Sequence, residues 1–226
     1  FFFKQKTAYE IPKRDWSSDV CSSDLELVGV AVFSVPMAQS VIPKWAGVET
    51  AAGVELGRFV LLDEVGFNAE SWFLARALRA LHGEIPGVRA VVSFSDPLPR
   101  QTAAGVVVTP GHVGTIYQAL NASYRGRTDG RSHYMSADGR FLSPRALSKI
   151  RNAETGWEYA SRDLTSAGAP PRRPGEEPAA WLARVLPTFA RVQHPGNHAY
   201  TWTIGVRGQV GAAPSVTSYP RRATTT

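Results

Sequence analysis

Three short stretches of the chain are almost continuously apolar, and one longer stretch carries its apolar residues at helical spacing. Residues 27–35, LVGVAVFSV, are rich in Val and Phe and stop at Pro36, which predicts a strand. Residues 54–63, VELGRFVLLD, predict a second strand, and residues 88–94, VRAVVSF, a third, apolar enough to be central and buried. Between the last two, AESWFLARALRAL over 69–81 gathers Trp72, Phe73, Ala75, Ala77, Leu78 and Leu81 on one broad helical face. Asn68 stands where an N-cap belongs, and Glu70 opposes the helix dipole in the first turn.

The connections follow from Pro and Gly. Residues 36–53 contain Pro36, Pro43, Gly47 and Gly53 and predict a loop, and 97–112 predict a Pro/Gly-rich excursion. GTIYQALNA (114–122) predicts a short helix, and SHYMSADGRFLS (132–143) a hairpin about Asp138-Gly139. Ser143-Pro144 is a helix start, N-cap then first turn, and 155–168 predict another helix. APPRRPGEEP (169–178) is a linker, and 179–192 are amphipathic with Pro187 ending or kinking the helix. The fold class expected is α/β, a mixed β-sheet flanked by helices over residues 26–143. A helical C-terminal extension over 144–205 and a disordered tail over 206–226 complete the expected chain.

The first 25 residues, FFFKQKTAYEIPKRDWSSDVCSSDL, share none of this patterning. KQKTAYEI and RDWSSDVCSSDL resemble the translation of the two halves of a sequencing-library adapter, with IPKR over the index between them. Residues 1–25 are therefore read as an artefact with no packed place in the fold. Cys21, the one cysteine of the chain, then belongs to the artefact. Without it, disulfides, a cysteine nucleophile and cysteine-ligated zinc are excluded for the protein proper. On this reading the authentic segment before Glu26 has been replaced.

Charge adds a partner. The net charge is +6, and residues 1–25 contribute nothing to it, carrying four basic and four acidic residues. Residues 125–151 hold seven basic residues (Arg125, Arg127, Arg131, Arg140, Arg145, Lys149 and Arg151) against Asp129 and Asp138. That balance suits a polyanion, or simply a solvated Arg-rich surface. The chain has neither a secretory signal nor an apolar run long enough to span a bilayer, so the expected location is the cytoplasm.

Three polar constellations could carry chemistry. Ser93-Phe94-Ser95-Asp96 closes the buried third strand, where ligands bind in open α/β sheets. Asp96 could be a general base or a metal ligand there, or it could only open the following Pro turn. In GHVGTIYQALN, Gly111 and Gly114 permit close backbone approach, His112 is a possible base or ligand, and Tyr117 and Gln118 follow one turn later. Tyr117 could equally be a buried ring with a satisfied hydroxyl. Asn68-Ala69-Glu70-Ser71 opens a helix whose free amides could take an anion, although Glu70 would repel a phosphate, and capping alone explains Asn68. The chain has no P-loop, GxGxxG, HExxH or GxSxG, so nucleotide hydrolysis, dinucleotide redox and serine hydrolase chemistry are unsupported.

In order, ELGRFVLLDEVGFNAESWFLARALRAL, VVSFSD and HVGTIYQALNASYRG resemble the Mom-type DNA modification proteins of bacteriophages. Leu56/Arg58, Asn68 to Ser71, Ser93 to Asp96, and Gly114, Tyr117, Gln118, Ala119 and Asn121 carry the resemblance, which spans about 27–127. It implies a fold similar to the GNAT acyltransferases and transfer of a carbamoylmethyl-type group to the N6 amine of adenine in double-stranded DNA, protecting it from restriction. Asp96, Tyr117, Ser93 and Ser95 would be the catalytic residues, with Asp96 as base or metal ligand. Arg58, Asn68, Glu70, Ser71, His112, Gly114, Thr115, Gln118 and Asn121 would line or support the pocket. Arg125, Arg127, Arg131, His133, Arg140, Tyr124 and Tyr134 would hold DNA, as cations and rings gathered in one region. The resemblance leaves the group donor unknown and implies a possible divalent metal of iron type. A GNAT pyrophosphate loop should precede the 69–81 helix and is absent, which argues against acetyl-CoA. A family His-Tyr element would fall before Glu26, so the chain is expected to be catalytically incomplete. Two other readings stay open: a GNAT-like N-acyltransferase acting on a small-molecule or protein amine, and a non-catalytic DNA-binding domain.

Overall fold

The computed structural model describes residues 2–6, 25–205, 209–211 and 218–221. The chain divides into two compact units. One comprises residues 1–94, 114–126 and 198–226, the other 95–113 and 127–197.

The first unit is built on a mixed sheet in the order β1-β2-β3-β4-β10-β11, with β7 also pairing β10. Its strands are β1 (Phe2–Lys6), β2 (Leu25–Ser34), β3 (Gly53–Leu61), β4 (Ala90–Ser95), β7 (Ser123–Arg127), β10 (His198–Ile204) and β11 (Val210–Gly211). β2 and β3 are antiparallel, whereas β3 and β4 are parallel and joined by α2 (Ala69–Glu84). A parallel pair needs such a crossover. The α/β class and the mixed sheet flanked by helices follow the sequence expectation. α2 buries Phe73, Leu74, Ala77, Leu78 and Leu81, with about 1.5–3 kcal/mol from each of the larger side chains. Trp72 departs from the expected face: it is 43% exposed and lies under the Arg76 guanidinium at 3.7 Å.

Several expectations are corrected. Residues 2–6 do take a place, pairing antiparallel with β2, because an open sheet edge accepts an extended segment with little regard to its origin. Cys21 lies outside the described residues. The 36–53 loop contains α1 (Val41–Ala46) and a 3-10 turn (Thr50–Ala52). Pro43 is tolerated because it sits in the first turn of α1, where its missing N–H has no partner to lose. Asn68 does not cap α2 through its side chain. It adopts a left-handed φ of 67°, a conformation asparagine tolerates, and its carbonyl accepts from the Ser71 hydroxyl at 3.0 Å.

The second unit has a short antiparallel pair, β5 (Arg100–Gln101) with β6 (Val107–Thr109). It also holds α4 (Pro144–Arg151), α5 (Trp157–Ser166) and α6 (Pro178–Val185), the last followed by a 3-10 turn (Leu186–Thr188). These helices close over Ile150, Leu164, Trp181, Leu182 and Val185, and the buried Trp181 indole N–H donates to Pro170 O at 2.8 Å. Ser143 caps α4 as expected, accepting from Ala146 N–H at 3.3 Å.

The expected 132–143 hairpin keeps its turn, with Gly139 N–H donating to Ser136 O at 3.0 Å. Its first strand, β8 (Arg131–Met135), nevertheless pairs with β9 (Ala190–His194), leaving a single bridge from Met135 to Phe141. The expected helical extension therefore ends at Thr188, and the chain continues as β9 and β10. β10 is buried at every position except Thr203 and sits inside the main sheet. In the expected tail, Val210–Gly211 pair with β10 and the Tyr219 hydroxyl donates to Ala122 O at 2.7 Å.

Candidate functional site

In the second unit, Asp96 follows directly on the last residue of β4. Its Oδ1 accepts from Leu98 N–H at 2.8 Å and from His194 Nε2 at 2.9 Å. Its Oδ2 faces the Arg100 guanidinium at 3.7 Å. One carboxylate oxygen is thus held by two hydrogen bonds, while the other has only a loose ion pair. The His112 side chain is exposed, and its backbone N–H donates to Asp96 O at 2.8 Å, closing the base of the 97–112 excursion.

A ring cluster surrounds the carboxylate. The His133 ring meets the His194 ring edge-on at 5.6 Å and stacks on Phe141 at 4.8 Å, and the Arg100 guanidinium lies 5.0 Å from the Phe141 centroid. Burial lowers the His133 pKa below its usual value, so this ring is neutral at pH 7. Two polar atoms beside Asp96, Ser95 Oγ and Arg100 Nε, are buried without a hydrogen-bond partner among the described residues.

The expected metal can be tested on these groups. Among the described residues no three His, Cys, Asp or Glu side chains gather as ligands. His194 has both ring nitrogens engaged, by Asp96 and by Gly196 N–H. The described residues do not by themselves make an iron-type site.

The first unit holds the other predicted residues in two places. Asn68, Glu70, Ser71 and Thr115 line one cavity of about 360 Å³, together with Asp63 and Phe67. Two carboxylates and no Lys or Arg face this space among the described residues. Burial raises the pKa of Tyr117, a core ring packed edge-on against Tyr200 and Trp202, although its hydroxyl hydrogen-bonds Ser93. Ser93 itself donates to Leu56 O at 3.2 Å. Gln118 donates to the Tyr200 hydroxyl at 3.1 Å and to Pro220 O at 3.3 Å, which makes it a structural tie and not part of the cavity wall. Burial pushes the Tyr200 hydroxyl up to about 12. Arg58 is exposed on β3, bonding back to Gly57 O, and Asn121 is an exposed turn residue with a φ of 54°. Neither lines the cavity.

The expected DNA-holding set divides in the same way. Tyr124 is buried, with its hydroxyl 2.9 Å from His198 Nδ1 and its ring against Tyr200, so it offers no face for a base to stack on. Arg125 donates to Trp45 O at 2.9 Å. Tyr134 packs against the apolar core of the second unit. Arg127 and Arg131 are exposed, and Arg140 is exposed and paired with Asp138. The sequence reading missed His194, His198, Phe141 and Arg100. The signal present in the sequence was His194-Pro-Gly-Asn-His198, two histidines across a tight turn.

Fold and site together define a mixed α/β protein with a carboxylate presented at the C-terminal end of a buried strand, where such sheets bind ligands. The chain belongs to the Mom protein family, whose model matches residues 21–171, more than half of the chain. That membership supports a DNA-modifying role in general terms. No curated protein matches the chain. Among the described residues, no helix is long and apolar enough to cross a membrane.

Proposed function

We propose that the chain is a DNA adenine-modifying transferase of Mom type, placing a carbamoylmethyl-type group on the N6 amine of adenine in duplex DNA and so shielding it from restriction in the bacterial cytoplasm. The observation that supports this reading best is Asp96: one oxygen held by two donors, the other left for a proton. The N6 nitrogen attacks the donor's methylene carbon, the new C–N bond forms, and the bond to the leaving group breaks with its electron pair. The amine gives one proton to Asp96 Oδ2, acting as general base. An adenine in a duplex reaches such a group only after flipping out of the stack. Arg127, Arg131 and Arg140 would hold the phosphates. No step is routed through a metal.

The cavity at the start of α2 bears on the acyltransferase alternative. Asp63 and Glu70 in its wall, with no Lys or Arg lining it among the described residues, oppose a pyrophosphate there, which weakens the acetyl-CoA acyltransferase alternative. Nucleoside mass spectrometry of DNA from cells expressing the chain tests the reading, with a family member carrying its own N-terminal segment alongside. Adenine heavier by a carbamoylmethyl group is the expected product. Unmodified adenine in both, with acetyl-CoA turnover on amines, would replace the reading with the acyltransferase. DNA affinity without either product would leave the non-catalytic binding domain.

A further inference from the structure

The geometry points to His194 as the positioning residue for Asp96, an imidazole whose Nδ1 is taken by a backbone N–H so that its Nε2 donates to Oδ1 and leaves Oδ2 as the working oxygen. This rests on the reading of Asp96 as the general base. His194 lies beyond the family-matched stretch, which ends at residue 171.

The argument begins with the buried ring. His194 is 6% exposed, and each of its nitrogens has one partner. Gly196 N–H donates to Nδ1 at 3.0 Å, so Nδ1 presents its lone pair. The ring proton is then on Nε2, which donates to Asp96 Oδ1 at 2.9 Å. Protonating Nδ1 would cost the Gly196 bond, so the ring serves as a fixed donor and not as a proton carrier. Oδ1, already taken by Leu98 N–H, is saturated, and the carboxylate cannot rotate without breaking two bonds.

The turn that supplies the Gly196 N–H is itself fixed. Thr128 N–H donates to Asn197 O at 2.9 Å, and Asn197 N–H donates to Thr128 Oγ1 at 2.8 Å. Gly196 has a φ of 92°, and a Cβ there would run into the Thr128 carbonyl. Only glycine fits both demands. β9 brings His194 to the turn, and its pairing partner β8 carries His133. The rings touch edge-on at 5.6 Å, which closes one side of His194.

The test uses the full chain with His194→Ala, His194→Gln and Gly196→Ala, following steady-state modification of a duplex oligonucleotide in a cell extract that supplies the donor. Losing the orienting donor should lower kcat by about 10- to 100-fold, with KM for DNA little changed. Gly196→Ala, which unseats the turn behind the ring, should lower kcat in the same direction. His194→Gln, whose amide can still donate, should recover much of the loss seen in His194→Ala. A merely structural role predicts equal damage in His194→Ala and His194→Gln, and that result would overturn the assignment, as would an unchanged kcat in His194→Ala. Nitrogen NMR of the His194 ring reads the same claim without turnover. The spectrum should show Nε2 protonated and Nδ1 not, with the Nε2–H resonance shifted in Asp96→Ala. A proton on Nδ1, or an Nε2–H indifferent to Asp96→Ala, overturns the inference even in folded, inactive protein. If the wild-type chain and the family member modify no adenine, the adenine reading falls, and the ring spectrum still decides the role of His194.

Discussion

Substituting Gly114 by alanine separates two explanations of a glycine that the sequence offers as a ligand-facing residue. Its φ is 75°, and an added Cβ would lie 2.7 Å from Tyr200 Cε2 and 3.0 Å from both Tyr117 Cδ2 and Tyr200 Cζ. The close approach is thus to two tyrosine rings of the core. Alanine in the left-handed region costs about 1–2 kcal/mol. Forcing a methyl against rings that cannot retreat adds about 1–3 kcal/mol. Tyr200 is fully buried and Tyr117 nearly so, which places the steric cost in the upper part of that range. Gly114→Ala should therefore destabilise the protein by about 3–5 kcal/mol, the sum of the two costs. Urea melts read this as a lower midpoint at unchanged slope. In a Tyr200→Leu background, which removes the nearest ring edge and leaves Tyr117 Cδ2 at 3.0 Å, the same substitution should cost less than in the wild type. A loss under about 1 kcal/mol in the wild-type background, or an undiminished loss in the Tyr200→Leu background, would refute the argument.

Three further predictions address other parts of the chain. Glu176 is held by Nε and Nη2 of the Arg184 guanidinium, each at 2.7 Å, and by Arg173 N–H at 2.9 Å, and its pKa is lowered from 4.5 to about 2. A depressed carboxylate pKa stabilises the fold above about 4.5 and loses that contribution as pH falls toward 2, so Glu176→Gln should flatten the acid limb of the stability–pH curve over that window in thermal melts. Trp181→Ala should cost about 3–5 kcal/mol in urea melts, because the indole is fully buried in the second unit and bonded to Pro170 O. Neutralising Arg127, Arg131 and Arg140 together should weaken DNA binding and reduce its salt slope by about 1 for each phosphate no longer neutralised. An unchanged slope in filter-binding or anisotropy titrations would remove these arginines from the DNA interface.

Local patterning made half of the fold legible, and distance along the chain hid the rest. β2, β3, α2 and β4 stand where apolar periodicity predicts them because each buries its own face against its sequence neighbours. β10 was not legible. HAYTWTI has no two-fold alternation because it is covered on both faces, and its sheet neighbour β4 ends about a hundred residues earlier. β8 misleads for a related reason: Asp138-Gly139 is a good hairpin turn, yet β8 pairs with a strand nearly sixty residues later. Turn chemistry fixes the turn and not the partner.

The same division runs through the candidate sites. Asp96 was legible because a carboxylate at the end of an apolar strand is a local pattern. Asn68, Glu70, Ser71 and Thr115 share a cavity because α2 and the short helix α3 (Thr115–Ala119) both start there, and helix starts can be read from sequence. His194 was not legible, since its contact with Asp96 is a hydrogen bond spanning 98 residues and its Nδ1 is met by the Gly196 N–H of a later turn. Tyr124 and Gln118 were misplaced for the converse reason: a polar head on an aromatic or amide reads as a surface group until the structure supplies a buried partner, here His198 and Tyr200. Carboxylates at strand ends announce themselves locally, while the groups that hydrogen-bond them are placed by the tertiary fold. A residue that holds another is therefore found only when the two are seen together, and the bond from His194 to Asp96, with the one from Leu98 N–H, holds one oxygen of the strand-end carboxylate.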